Sequence, residues 1–333
     1  MLRSSLVCAL VLSCYFVAAG PANGQESEFS ASGFDTLRVE SEDKLLVPND
    51  KAEEVWRYLE QTYVLSQEKL KNLDPLFTAY QHDEQFTDTY FDTPTFQVLE
   101  GKHGVRHRRR TNLTVEDHDK SGRELIQIKV NSISQNALNR GEYKYPVEYP
   151  LRGKSLMGLV ARAERGVLEN RLESLGIEGE SLQPILTVHD LRKRIYINRD
   201  NQPFMSISFD NASAYNLWAR VEFVEIEPEL NEIAYTEADP QTKQYMEGIA
   251  AKISDDILAT FPDVSRDLNP KYNKAFAALE SQIPFFRYMV NRRLNSLGLL
   301  LLSVCFGVML TGMSVYSYVS GKNARTLLSR QRR

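Results

Sequence analysis

"VESEDKLLVP", residues 39–48, sets three charged side chains at alternate positions, Glu40, Glu42 and Lys44, just ahead of Leu45, Leu46 and Val47. Successive side chains of a strand point to opposite faces, so these three share one face. Like charges side by side on a sheet are destabilising unless counter-charges lie opposite, so this strand needs basic neighbours. The chain supplies them at the same period. Arg106, Arg108 and Arg110 share a face, and so do Arg123, Leu125, Gln127 and Lys129, opposite the apolar Ile126, Ile128 and Val130. Arg192, Arg194 and Tyr196 form another such set. Ser206, Ser208 and Asp210 oppose Met205, Ile207 and Phe209, while Glu225 and Glu227 oppose Val224 and Ile226.

Taken one at a time, such strands are ordinary half-exposed strands with polar residues toward water. Taken together they segregate charge: some strands are almost wholly basic and others carry paired glutamates. If the sheet curls so that these faces point inward, acidic strands confront basic ones across a wet lumen. Arginine and lysine are then placed to hold phosphate oxygens, and the carboxylates to hold a hard divalent cation.

The remaining elements follow from periodicity and punctuation. "DKAEEVWRYLEQTYV" has helical spacing behind an Asn49/Asp50 start signal. "DTYFDTPTFQVL", "GVRHRRRTN", "RELIQIKV", "GEYKYPVEY", "PILTVHDLRKRIYIN", "FMSISFDN" and "RVEFVEIEPE" read as strands. "SLMGLVARAERGVLENRLESLG" reads as one amphipathic helix ending at Gly176, and further helices are expected over about 240–261 and 271–281. One strand, one helix and a long antiparallel series give an α+β class, a closed or strongly curved barrel with accessory helices.

The chain ends suggest a membrane topology. Arg3 precedes "LVCALVLSCYFVAAG", too short to span a bilayer and followed by small residues, which reads as a signal peptide over 1–24 cut after "ANG". Processing as a lipoprotein at Cys14 is the weaker alternative. Residues 297–319 carry no charge and are long enough to cross a hydrocarbon core as a transmembrane helix. The basic tail over 320–333 then lies in the cytoplasm and the domain between faces away from it, although Arg287, Arg292 and Arg293 on the near side weaken the charge bias. The only cysteines, Cys8, Cys14 and Cys305, fall in the two apolar segments, so the domain has no internal disulfide, thiol nucleophile or cysteine-type zinc site. Two sequons, Asn112-Leu-Thr and Asn211-Ala-Ser, matter only in a eukaryotic secretory pathway. No Walker loop, G-x-S-x-G or H-E-x-x-H offers a rival site. His103 and His107 are four apart but straddle a glycine at a strand entrance, where that spacing does not make a ligand pair.

These pieces resemble a known family. "VESEDK" resembles the ExExK signature of the triphosphate tunnel metalloenzymes, the CYTH group. "TYFDTP", "GVRHRRR", "IQIKV" and "FVEIEPE" are similar, in the same order, to that family's YFDTP segment, basic strand, lysine strand and late acidic strand. The helix after the first strand, "NRGEYKYPV", "LRKRIY" and "NPKYNKAF" resemble the VTC-type polyphosphate polymerase branch. The similarity covers about residues 37–280. It implies a closed eight-stranded antiparallel tunnel that binds a triphosphate or polyphosphate with Mg²⁺ or Mn²⁺. Carried over by residue, Glu40, Glu42, Glu225 and Glu227 are the metal-side carboxylates, and Lys44, Arg106, Arg108, Lys129, Arg192, Arg194 and Lys271 hold phosphate. Glu40, Glu42 and Lys44 form the implied catalytic set. Glu142 and Lys144 stand where many hydrolytic members carry an acidic pair, and Glu227 stands where the polymerase branch usually has lysine.

The leading expectation is a membrane-anchored, metal-dependent hydrolase of tripolyphosphate or nucleoside triphosphate, with no nucleic-acid partner. A VTC-like polymerase is the close alternative, disfavoured if the domain faces away from cytoplasmic ATP. A noncatalytic polyanion receptor is the third reading, and four glutamates gain such a protein nothing.

Overall fold

The computed structural model describes residues 37–112, 124–131, 139–147, 155–216, 218–291 and 301–318. The expected signal peptide, the basic tail, Arg123 and the last two residues of the first sequon lie outside the described residues. The strands are β1 (Arg38–Ser41), β2 (Leu45–Val47), β3 (Phe77–Asp92), β4 (Gly104–Asn112), β5 (Glu124–Val130), β6 (Asn139–Pro146), β7 (Gln183–Arg199), β8 (Gln202–Asn216), β9 (Ala219–Leu230) and β10 (Ser265–Arg266). They form one antiparallel sheet in the order β1-β6-β5-β4-β3-β7-β8-β9-β2-β10.

The expected closed eight-stranded barrel is corrected here: among the described residues the sheet has ten strands and its ladder does not close. The first strand is broken in two because its backbone changes partner. β1 pairs with β6, Glu42 makes an isolated bridge to Glu229, the Asp43 amide donates to the Pro228 carbonyl at 3.0 Å, and β2 then pairs with β9. One short segment, residues 38–47, thus carries the first strand of the sheet order and, at the far side, the one next to last. Side chains from β1, β3, β4, β5, β6, β7 and β9 line a single cavity, so the sheet curls around its charged face.

The apolar faces look outward and are covered. Val55, Trp56 and Leu59, on the helix Ala52–Leu59, pack in one cluster with Ile207, Phe209, Val224 and Ile226, and Trp56 meets Phe209 at 5.6 Å between ring centroids. Met246, Ile249, Ile253 and Ile257 recur at helical spacing on Pro240–Thr260 and join the same cluster. That helix starts where expected, with Asp239 accepting from the amides of Gln241 and Thr242 and Pro240 in the first turn. Each fully buried Leu or Ile contributes roughly 1.5–3 kcal/mol, which offsets the cost of a charged interior.

Two further expectations are corrected. The single helix over 155–176 is broken into Leu156–Leu159 and Arg165–Ser174, because Val160 bridges to Val147 and the Ala161 amide donates to Pro146. The strand expected over "DTYFDTPTFQVL" stops at Asp92, and Gln97–Glu100 is a helical turn. Asp92 enforces that turn: Oδ1 accepts from the amides of Thr93 and Val98, and Oδ2 from that of Leu99. Leu301–Tyr318 is a charge-free helix with its apolar side chains exposed, long and apolar enough to cross a membrane.

Candidate functional site

The cavity is lined by ten lysines and arginines and five glutamates, with further buried carboxylates beneath. Burying an unpaired charge costs several kcal/mol, so each side chain must find partners across the lumen. On β4 the partner is Asp88 of β3. The register sets Asp88 against Arg108 and Tyr90 against Arg106. Arg108 donates through Nε and Nη2 to the two Asp88 oxygens at 2.8 and 2.7 Å, and Arg106 Nη1 adds a third contact at 3.0 Å. Arg106 also donates to Gln127 Oε1 at 2.9 Å and to the Tyr90 hydroxyl at 3.3 Å. Burial opposes ionisation of Asp88, but the two guanidinium groups prevail and hold its carboxyl well below the usual range. Beneath them the Phe86 ring lies 3.8 Å from the Arg108 guanidinium carbon and 5.2 Å from that of Arg192.

A second network joins β7, β8, β9 and the helix Lys271–Gln282. Arg192 Nε donates to Asp210 Oδ1 at 2.6 Å and its Nη2 to Glu227 Oε2 at 2.8 Å. Lys271 Nζ lies 2.7 Å from Asp190 and 3.0 Å from Glu225, and also bonds Asp210. Lys271 reaches the lumen because its helix begins immediately after Pro270, and Tyr272, Ala275, Phe276 and Leu279 bury the following stripe. Tyr272 fixes the helix to the end of β3, stacking on Tyr90 at 5.1 Å and donating to Asp92 at 2.9 Å. Asp210 and Glu225 are direct cross-strand partners. With Glu227 they offer three buried carboxylate oxygens within 4.8 Å of one another. Glu225 Oε1 is buried and faces the Lys271 ammonium at 3.0 Å, with no other hydrogen bond among the described residues. Hard oxygen donors at that mutual distance fit a divalent cation such as Mg²⁺ or Mn²⁺.

The opening motif joins both networks. Lys129 Nζ lies 2.6 Å from Glu40, and Lys44 Nζ lies 3.0 Å from Glu42 and bonds Glu227. Burial raises Glu40, but the Lys129 charge outweighs it and the carboxyl is held low. Glu42 behaves differently: burial and the neighbouring Glu40 charge push it up to about 7, and beyond the Lys44 ion pair its oxygens have no hydrogen-bond partner among the described residues. Burial and the Asp210 charge likewise push Asp190 up to about 7. On β6, Glu142 accepts from Gln127 at 3.1 Å and pairs with Lys144 at 2.8 Å.

Of the residues singled out from sequence, Glu40, Lys44, Arg106, Arg108, Lys129, Arg192, Arg194, Glu227 and Lys271 line this one cavity. Glu42 and Glu225 sit beneath its surface, each beside a lysine that lines it. The four expected metal-side glutamates divide: Glu225 and Glu227 group with Asp210, whereas Glu40 and Glu42 pair with Lys129 and Lys44. His103 lines the cavity, while His107 lies on the other face of β4 against Glu124 at 2.6 Å. Asp88, Asp190 and Asp210 carry much of the ion pairing and were not among the expected site residues. The period-two pattern contained them: Asp88 lies two residues before Tyr90, Asp190 two before Arg192, and Asp210 two after Ser208.

Solved structures similar to the chain include a candidate adenylate cyclase from Bacillus halodurans, with 18% identity over 72% of this chain and 98% of that one and a TM-score of 0.45. A candidate adenylyl cyclase from Hippeastrum, described as having a dominant triphosphatase activity, has 12% identity over 74% and 98% of the two chains, with a TM-score of 0.39. The Mimivirus capping enzyme triphosphatase has 11% identity over 67% and 90%, with a TM-score of 0.35. No curated protein matches the sequence. The profile of the CYTH domain matches residues 57–245, more than half of the chain, beginning after β1 and β2 and ending before Lys271. The chain belongs to the CYTH domain family.

Proposed function

We propose that the protein is a membrane-anchored, metal-dependent phosphohydrolase that draws the triphosphate of a tripolyphosphate or nucleoside triphosphate into this cavity, on the extracytoplasmic side. The observation that carries the reading is the pairing of ten lining lysines and arginines with the buried carboxylate group Asp210, Glu225 and Glu227. Arg106, Arg108, Lys129, Arg192 and Lys271 exchange their carboxylate partners for phosphate oxygens, and Arg106 and Arg108 offer several donors from one strand. Asp210, Glu225 and Glu227 would hold Mg²⁺ or Mn²⁺, which supplies charge neutralisation on phosphate and a more acidic attacking water. The P–O bond to the leaving phosphate then breaks as water adds to the terminal phosphorus, so the chain's own work is positioning and electrostatic. Glu42, with a carboxyl pushed up to about 7, has the proton affinity suited to accepting the water's proton near neutrality.

An apolar helix exposed on every face belongs in lipid or in a protein core, which supports the anchor at 301–318. The test is phosphate release from tripolyphosphate and ATP by the full chain in detergent, with Mg²⁺, with Mn²⁺ and with chelator. Metal-dependent release is expected. Binding without release on any phosphate chain would leave only a receptor, and chain growth would make it a polymerase.

A further inference from the structure

β3 and β7 carry the lumen face outward into solvent. On β3, Asp88, Glu84 and Tyr80, spaced four residues apart on one face, are 0%, 4% and 51% exposed, so that face opens to solvent at Tyr80. Its direct partner on β7 is Tyr196. The two rings stack at 5.2 Å with planes 13° apart, and the Arg194 guanidinium carbon lies 5.5 Å from the Tyr196 ring. Tyr196 is fixed from below by its hydroxyl, which donates to Glu84 Oε1 at 3.1 Å. A second cavity of about 350 Å³ opens beside this pair, a volume suited to a small ligand. Arg194, Glu229 and Glu232 line both cavities, so the two meet at the Arg194–Glu229 ion pair.

We infer that this second cavity is a nucleobase subsite: Tyr80 stacks a purine or pyrimidine whose triphosphate enters the lumen past Arg194, which makes nucleoside triphosphates the preferred substrate class. The inference rests on the hydrolase reading for the inner cavity. The spacing along β7 suits such a ligand. Tyr196 and Arg192 are four residues apart, about 13 Å along a strand, the order of separation between a base and the outer phosphates of its own triphosphate. Arg194 stands between them, level with the inner end of that chain. A linear polyphosphate has no planar group to use the exposed ring. Stacking is also tolerant, because every base presents a π face, so discrimination among bases should be weak.

The test compares the full chain with Tyr80→Ala and Tyr80→Trp, measuring KM for ATP and for tripolyphosphate and, by calorimetry, the affinity for each. Loss of one stacking partner should weaken ATP about ten-fold or more in both KM and affinity and leave tripolyphosphate within about two-fold, and the tryptophan variant should restore ATP. Equal effects on the two ligands, or none on ATP, would overturn the subsite. If the unmodified chain binds but does not cleave, the hydrolase reading fails and the affinities alone decide the subsite. Binding of neither ligand would overturn both.

Discussion

Asp88→Asn is the sharpest perturbation of the lumen. The carboxylate is fully buried and takes three charge-assisted hydrogen bonds, two from Arg108 and one from Arg106. The substitution keeps the shape and removes the charge, leaving two guanidinium groups without their shared counter-ion. Removing one partner of a buried ion pair costs about 3–5 kcal/mol. For a domain of this size each kcal/mol is worth about 2–4 °C, so Tm should fall by about 6–20 °C. If phosphate is the natural partner of these arginines, tripolyphosphate supplies the missing negative charge and should raise the Tm of the variant by several degrees more than that of the unmodified chain. The assay is thermal unfolding followed by circular dichroism at fixed ligand and at neutral pH, where Asp88 is ionised. Equal ligand-induced shifts in the two proteins would refute the reasoning, because the phosphates would then not reach Arg106 and Arg108.

The remaining predictions concern other parts of the molecule. Glu225→Gln should weaken Mn²⁺ binding, followed calorimetrically, and cut phosphate release by orders of magnitude, while metal-free polyphosphate binding persists or tightens because the lumen has become more positive. Arg106→Ala should weaken triphosphate binding about ten-fold or more, whereas Arg109→Ala, on the exposed face of β4, should change it much less. Glu42 keeps a proton in the folded chain up to about pH 7 that the unfolded chain has lost above its ordinary value of 4.5, so stability falls as pH rises through that window. Glu42→Gln should therefore flatten the decline of Tm between pH 5 and pH 7, and an unchanged slope would remove Glu42 as its cause. Protease added outside intact cells or spheroplasts should digest the domain and spare the apolar helix; protection would reverse the proposed topology.

The charged faces are legible in local pattern alone. Alternation is a property of the strand itself, so Glu40, Glu42 and Lys44, Arg106 and Arg108, and Glu225 and Glu227 can each be assigned to one face from spacing. Helix starts with strong chemistry, such as Asp239-Pro240, are equally readable. The family is legible through the order of these motifs, which the CYTH match over 57–245 supports independently of the first strand. Partner choice is not legible, because it depends on which strands become neighbours. The break between β1 and β2 follows from the Asp43 amide meeting Pro228, the interrupted helix from Val160 meeting Val147, and the end of β3 from Asp92 turning onto the amides of Val98 and Leu99. Whether Glu225 groups with Asp210 rather than with Glu40 is likewise a matter of cross-strand register, which places Asp210 directly opposite it. The sequence by itself determined which side chains share a face. Tertiary structure decided which of them meet, because ion pairs across a curled sheet are set by long-range register, and no single strand encodes it.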